Sequence, residues 1–90
     1  MEIEVGKVIH YYSHLNVAVL QLEDGLKLGD KIHLRGHATD FTQRVTSMEV
    51  EHHTVLWVKP GDNMAIKVNQ PVHVHDVVYR IVEEEMEPVI

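Results

Sequence analysis

The sequence predicts an all-β domain, a small closed β-barrel of six or seven short strands. A turn that ends in aspartate and leads directly into an alternating strand occurs at residues 26–30 and again at 58–62, with a weaker copy at 74–79. Apolar and polar residues alternate over most of the chain, which is typical of half-buried strands. No stretch carries the continuous apolar stripe of a three-turn helix. We expect a barrel because closure of a sheet removes its exposed edges.

The first half of the chain predicts three strands. Residues 4–12 are rich in β-branched and aromatic side chains, and residues 16–22 follow after a short gap, so the two segments are predicted to form a hairpin. Residues 31–36 alternate regularly, which places Ile32 and Leu34 on the inner face. Short polar segments before and after this strand are interpreted as turns and loops.

The middle of the chain is less regular. Residues 41–52 are predicted to form one long strand. Val45 and Met48 are an odd number of positions apart, so both can face inward only if a β-bulge lies near Thr46 and Ser47. Residues 54–58 follow as a short strand.

The last part predicts a second sharp turn and the closing strands. Pro60 and Gly61 suit the two central positions of a type II turn. Met64, Ile66 and Val68 then face inward. A short edge at residues 72–74 follows, and the strand that contains Val77, Tyr79 and Ile81 closes the barrel.

The length and the charge distribution of the chain predict its domain organisation. Ninety residues allow one domain with one core. We expect the barrel to occupy residues 1–82 and an acidic C-terminal tail to occupy residues 83–90. The formal net charge is −6, and four of the fourteen acidic residues lie in that tail. The remaining eight basic and ten acidic residues leave −2, which argues against tight non-specific DNA binding, since phosphate contacts dominate nucleic-acid affinity.

The same composition excludes several other classes. The chain has no cysteine, so it has neither a disulfide framework nor a thiolate metal site. Its first residues are acidic and lack the apolar run of a signal peptide. The longest apolar runs are about four residues, whereas a membrane-spanning helix needs about 20. We therefore expect a cytoplasmic protein with no membrane partner.

The segments described above resemble the second domain of translational GTPases, the small β-barrel of elongation factor Tu and of initiation factors. The matching positions, in order, are Gly6, Val8, Val17, and residues 26–30, 45–49, 60–66 and 76–79. The chain also resembles free-standing translation elongation factor-like proteins and the barrel appended to collagenase-like peptidases. At the third turn, His75 replaces the glycine that is usual in the family, and histidine is one of the few residues tolerated at positive φ.

The resemblance implies a binding role at the aminoacylated 3′ end of tRNA. Carried over position by position, the adenosine pocket falls on Val17, Glu49, His52 and Lys67. Glu49 keeps the family's acid, whereas His52 stands in place of an arginine and Lys67 in place of an apolar wall. No phosphate-binding loop of the form GxxxxGK[S/T] is present, so we expect no nucleotide binding and no GTPase activity.

One strand predicts a basic face. Lys31, His33 and Arg35 alternate outward, with Arg44 on the next strand, and could contact an RNA backbone. The alternative is an ordinary charged surface. A further hypothesis, which rests on charge complementarity alone, is that the acidic tail competes for this face.

The eight histidines do not predict a metal site. His73 and His75 are the weak candidates, because residues two apart on a strand lie on one face about 6.7 Å apart. Zinc would need further ligands from elsewhere. The alternative is a pair of solvated histidines on an edge strand.

The sequence therefore predicts a non-enzymatic binding module. No serine lies in the glycine-flanked context of a nucleophile elbow, and no catalytic residue or cofactor is predicted. Trp57, the only tryptophan, is expected either in the core or as an interface anchor. Two functions remain open: a translation-related module that contacts a tRNA or other RNA end, or a protein-interaction adaptor that docks onto an enzyme or GTPase partner.

Overall fold

The computed structural model describes residues 1–82, and within them it contains strands and turns but no helix. The predicted acidic tail, residues 83–90, lies outside the described residues. The strands are β1 (Glu2–Tyr12), β2 (Val17–Leu22), β3 (Leu26–Lys27), β4 (Lys31–Arg35), β5 (Asp40–Arg44), β6 (Met48–Val50), β7 (His53–Thr54), β8 (Trp57–Val58), β9 (Asn63–Lys67) and β10 (Val77–Ile81). The all-β prediction is therefore confirmed, and no helix in this part of the chain could span a membrane.

Eight strands form one antiparallel sheet in the order β5-β4-β10-β1-β2-β9-β6-β7, and β3 pairs with β8 in a separate two-stranded ribbon. Strands β5 and β7 are the two ends of the sheet and do not pair with each other. The predicted closed barrel of six or seven strands is therefore not confirmed as a closed ladder. The predicted hairpin of β1 and β2 is present, with Tyr12 opposite Val17.

A glutamine side chain connects one edge of the sheet to the end of β9 and to the residues that follow it. The side-chain amide of Gln43 on β5 donates to the carbonyl oxygen of Lys67 at 2.9 Å, and its own oxygen accepts from the backbone N–H of Asn69 at 2.7 Å. Gln43 is buried. Its amide thus supplies one donor and one acceptor to that backbone, as a neighbouring strand would, and it holds the rolled sheet together where the ladder is interrupted.

The core lies on the concave side of the sheet, and alternation along each strand fills it. The predicted inner residues Ile32, Leu34, Met64, Ile66 and Val68 are all buried. The other buried apolar residues are Val5, Val8, Ala18, Leu20, Leu22, Leu26, Phe41, Val45, Met48, Val58, Val72 and Val78. On β10, Val78 is fully buried. Its neighbours Val77 and Tyr79, which were predicted to close the barrel, are half-buried.

The three aspartate turns have one common geometry. In each, the N–H of the aspartate bonds to the carbonyl three residues earlier, and the aspartate carboxylate accepts from the N–H of that earlier residue. The third residue of each turn has positive φ: 89° at Gly29, 89° at Gly61 and 80° at His75. A type II turn requires positive φ there. The turn assignments are confirmed, and His75 occupies a position that glycine fills in the other two turns.

The third turn is the one whose aspartate is buried. Asp76 is 4% exposed and accepts from the backbone N–H of His73 at 2.8 Å and from the hydroxyl of Thr39. Its carboxyl group packs against Gly36, where a Cβ atom would overlap with it. Asp76 thereby fixes the turn between β9 and β10 onto the loop that joins β4 to β5.

The predicted long strand over residues 41–52 is wrong. The chain leaves the ladder after Arg44 and re-enters it at Met48, and Thr46 and Ser47 lie in the break instead of in a bulge. The reason is tertiary, because Val45 exchanges backbone hydrogen bonds of 2.9 Å with Gly29 and Asp30. The register shifts occur in β1 instead, between Glu4 and Gly6 against β10 and between Val8 and His10 against β2.

Two short elements also differ from prediction. Residues 54–58 are not one strand, because β7 and β8 join different sheets. Residues 72–74 form no strand: Val72 is buried in the core, whereas Val74 is 46% exposed.

Candidate docking groove

An open groove of about 660 Å³ lies where the ribbon of β3 and β8 meets the end of β10. We call it the Trp57 groove. The described residues that line it are residues 25–31, Arg44, residues 57–58 and residues 80–82. The ribbon is held by the pairing of Lys27 with Trp57 and by a 2.9 Å bond from the N–H of Leu28 to the carbonyl of Leu56. Residues distant in sequence therefore form one concave surface.

Apolar side chains are exposed along this ribbon. Trp57 and Leu56 are each 67% exposed, and Leu28 is 43% exposed. The interpretation of Trp57 as a core residue is thus wrong, and its role as an interface anchor stays a prediction. A cluster of large exposed apolar side chains beside a concave surface is typical of a site where another chain binds.

The groove is also positively charged. Lys27, Lys31, Arg44 and Arg80 line it, which is half of the eight lysines and arginines in the chain. Among the described residues of the lining, the carboxylate is Asp30, which accepts from the backbone N–H of Lys27 at 2.9 Å and so holds its own turn. The groove is therefore a cationic region on a chain whose net charge is negative.

The four cations differ in how they are held. Arg80 donates to the carbonyl of Gly25, and its second nitrogen lies 3.6 Å from the carboxylate of Asp24. Arg44 donates to the carbonyl of Gly29 at 3.2 Å. Lys27 and Lys31 make no ion pair with any residue in 1–82. The arginines thus shape the groove wall, and the two ammonium groups remain available for an anionic ligand.

The predicted basic face divides into separate environments. Lys31 and Arg44 lie in the Trp57 groove, whereas Arg35 lines a smaller depression with Gly36, His37 and Tyr79. His33, between them on β4, is enclosed by two carboxylates: its Nδ1 lies 3.0 Å from Glu2 and its Nε2 lies 2.5 Å from Asp40. These acids, which the alternation on β4 does not reveal, reduce the positive charge of the face.

The two contacts of His33, with Glu2 and with Asp40, depend on pH. A neutral imidazole has one N–H, so only the protonated ring donates to both carboxylates. Mainly through the hydrogen bond to Asp40, and also through Glu2, the pKa of His33 is raised from its ordinary value of 6.5. The bond to His33 in turn lowers the pKa of Asp40 from 3.8.

This linkage predicts how stability changes with pH. The contribution of His33 is complete below pH 6.5 and is lost as the pH rises through its raised pKa; the contribution of Asp40 is present above pH 3.8 and is lost as the pH falls through its lowered pKa. We expect the stability difference between the wild type and His33→Gln, measured by urea unfolding, to be largest near pH 5 and to shrink by pH 8. A stability difference at His33 that stays constant between pH 5 and pH 8 would contradict the assignment.

The structure brings three of the four predicted adenosine-pocket residues onto neighbouring strands. Val17 on β2 is directly opposite Lys67 on β9, and Glu49 on β6 is opposite Ala65, two residues before Lys67. His52 lies in the turn between β6 and β7, with a φ of 64°. The other predicted RNA contacts, Lys31 and Arg35, are on β4, which two strands separate from β2. Strand order does not pair Lys31 or Arg35 with the adenosine-pocket residues, and RNA contact by the six residues stays a prediction.

The two weak metal candidates are in a turn and not on an edge strand. The Nδ1 atom of His73 lies 3.2 Å from the hydroxyl oxygen of Thr39, and His75 occupies the positive-φ position. Across residues 1–82, no three histidine, aspartate or glutamate side chains are grouped in a way that could hold a metal ion.

The sequence does not predict most of the groove. Lys27, Leu28, Arg80 and Val82 were not predicted to act together, because they come from two segments that are distant in sequence. The one local signal is Trp57 itself. It stands in a short segment bounded by polar residues on one side and by Lys59 and Pro60 on the other, which is a weak context for a core strand.

Comparison with known proteins places this chain beside peptidase-related sequences. It is 35% identical over 83 residues to an uncharacterized protease of Methanocaldococcus jannaschii, which covers 91% of this chain and 20% of that protein. It is 36% identical over 86 residues to a collagenase of Porphyromonas gingivalis, which covers 93% of this chain and 21% of that protein. The chain thus spans about one fifth of the length of these relatives. No family model matches it.

The fold has a close counterpart among solved structures. The C-terminal domain of a candidate U32 peptidase from Geobacillus thermoleovorans superimposes with a TM-score of 0.82 at 20% identity, over 87% of this chain and 91% of that domain. A selenomethionine variant of the same domain gives a TM-score of 0.80. These matches support the resemblance to the barrel appended to collagenase-like peptidases. They give no support to an identity with the second domain of elongation factor Tu.

Proposed function

We propose that this domain is a non-catalytic protein-docking module that binds a peptidase-like catalytic unit through the Trp57 groove. The observation that carries the proposal is the 67% exposure of Trp57, beside an apolar ribbon and a concave cationic surface. The similarity of the chain to about one fifth of a protease and of a collagenase supports the class of partner. Both proteins contain other regions against which such a domain could dock.

Energetics favour Trp57 as the anchor of that interface. Covering the exposed two thirds of a tryptophan removes on the order of 150 Å² of surface from water, which contributes about 3–4 kcal/mol before association costs. Tryptophan and arginine are also the residues most often found at the energetic centre of interfaces. Leu56 and Leu28 extend the apolar area, and the cations at the rim orient an acidic partner surface.

A second candidate function is contact with an RNA end at the outer face of β2, β9 and β6. The pairing of Val17 with Lys67, and the position of Glu49 on the next strand, favour it. A carboxylate there would accept a hydrogen bond from a base amino group, and Lys67 would contact a phosphate. This function predicts that Glu49→Ala weakens binding to RNA.

A capture experiment separates the two functions. The tagged full chain and its Glu49→Ala variant are used to capture ligands from native lysate, with and without ribonuclease. We expect both to retain, in the presence of nuclease, a protein similar to the part of the relatives outside the matched fifth. Captured RNA that disappears with nuclease and decreases in the Glu49→Ala variant would contradict the docking function and support the second candidate.

A further inference from the structure

The Trp57 groove receives the C-terminal end of the described chain. Ile81 and Val82, the last two described residues, are part of its lining. The next eight residues in the sequence are Glu-Glu-Glu-Met-Glu-Pro-Val-Ile. A chain advances at most about 3.3–3.6 Å per residue. Every carboxylate of this segment is therefore within reach of the groove without any other part of the chain moving.

The composition of this segment complements the groove. It carries four glutamates and no lysine or arginine, and it also contains Met86, Val89 and Ile90. The groove offers four cations, of which Lys27 and Lys31 make no ion pair within residues 1–82, together with the exposed indole of Trp57. Outside this segment the chain has ten acidic and eight basic residues. Four of those eight basic residues line the groove, so positive charge is concentrated there.

We propose that the Trp57 groove is the docking site of the chain's own acidic segment, residues 83–90. The glutamates contact Lys27 and Lys31, and an apolar residue of the segment covers Trp57. His33 and Arg35 are not part of this docking site, and His33 already faces Glu2 and Asp40.

The regulatory consequence of this inference rests on the proposed function. A segment that occupies the groove competes with the docking partner. The cost of displacing it is small, because exposed ion pairs contribute little and are screened by salt. A segment attached beside its site is present at an effective concentration on the order of 1 mM. It would therefore occupy the groove for part of the time in the free protein and yield to a partner that binds more tightly.

Trp57 reports directly on this contact, because it is the only tryptophan in the chain. The experiment compares acrylamide quenching of Trp57 emission in the full-length wild type and in a full-length variant with Glu→Gln at positions 83, 84, 85 and 87. A segment at an effective concentration of about 1 mM covers its site half of the time if its Kd is also about 1 mM, so its release should raise the quenching constant about twofold. Addition of 1 M salt to the wild type should have the same effect.

A matched control changes the net charge equally at four other sites. Glu4, Glu23, Glu49 and Glu51 are exposed, and none of them lines the groove. Their joint replacement by glutamine should leave the quenching constant unchanged. Replacement of Lys27 and Lys31 by glutamine should raise it as the tail variant does.

Two results would overturn the inference. Equal quenching in the wild type and the tail variant would show that the segment does not cover Trp57. Protection that increases with protein concentration would assign the contact to a second copy of the chain. Either result leaves the capture experiment unaffected, so failure of this inference is distinguishable from failure of the proposed function.

Discussion

Replacement of Asp76 by alanine is expected to destabilise the domain by about 3 kcal/mol, a large part of the 5–15 kcal/mol that is typical of folded proteins. The carboxylate is 4% exposed and accepts from the N–H of His73 and from the hydroxyl of Thr39. Without it, the backbone N–H of His73 loses its acceptor, and so does the hydroxyl of Thr39, which is itself buried. The loss would appear as a lower urea midpoint with an unchanged denaturant slope.

The control for this prediction is Asp62→Ala. Asp62 occupies the same position in the second turn, where its carboxylate accepts from the N–H of Lys59 at 3.3 Å. Asp62 is only half-buried, so water replaces the carboxylate, and we expect a loss of about 1 kcal/mol or less. Equal losses at the two positions would show that the turn, and not the burial of Asp76, determines the effect.

Replacement of Gly6 by alanine is expected to cost about 3 kcal/mol as well, through steric overlap and not through a lost hydrogen bond. A Cβ at this position would overlap with the carbonyl oxygen of Gln21 and lie 3.2 Å from its carbonyl carbon. Gly6 is paired with Leu22 on one side and with Val78 on the other. Backbone atoms on β2 cannot rotate away, so the central strands would have to separate.

Gly25→Ala is the matched control for Gly6→Ala. A Cβ at Gly25 would meet only the carbonyl oxygen of Val58, at 3.4 Å, which is an ordinary contact. We expect its unfolding midpoint to stay close to that of the wild type. Thermal unfolding followed by circular dichroism would compare the two variants, and a similar fall in both would contradict the steric explanation.

Local chemistry explains which parts of the fold could be predicted from the sequence. The three turns follow from an aspartate placed after a residue that accepts positive φ, and this pattern needs no information from distant residues. The β1–β2 hairpin and the inner residues of β4 and β9 follow in the same way from alternation over short segments. The odd spacing of Val45 and Met48 fits either a bulge or a break. Contacts of Val45 with Gly29 and Asp30, distant in sequence, select the break.

The candidate site could not be predicted for a related reason. Hydrophobicity alone favours burial of Trp57, but β8 pairs with the two-residue strand β3, and within residues 1–82 no second layer covers the indole on this narrow ribbon. Alternation correctly placed Lys31, His33 and Arg35 on β4. It could not reveal that Glu2 and Asp40 enclose the middle residue of the three.

The measurement that tests the docking function most directly is the amount of the peptidase-like partner captured by Trp57→Ala relative to the wild type, with ribonuclease present. Truncation of a central interface tryptophan typically costs 2 kcal/mol or more, which corresponds to about a 30-fold loss of affinity. Trp57 is largely exposed, so the variant should keep the unfolding midpoint of the wild type. We therefore predict near-complete loss of the partner from a folded protein. Retention of the partner at the wild-type level would contradict the assignment of the Trp57 groove as the docking surface.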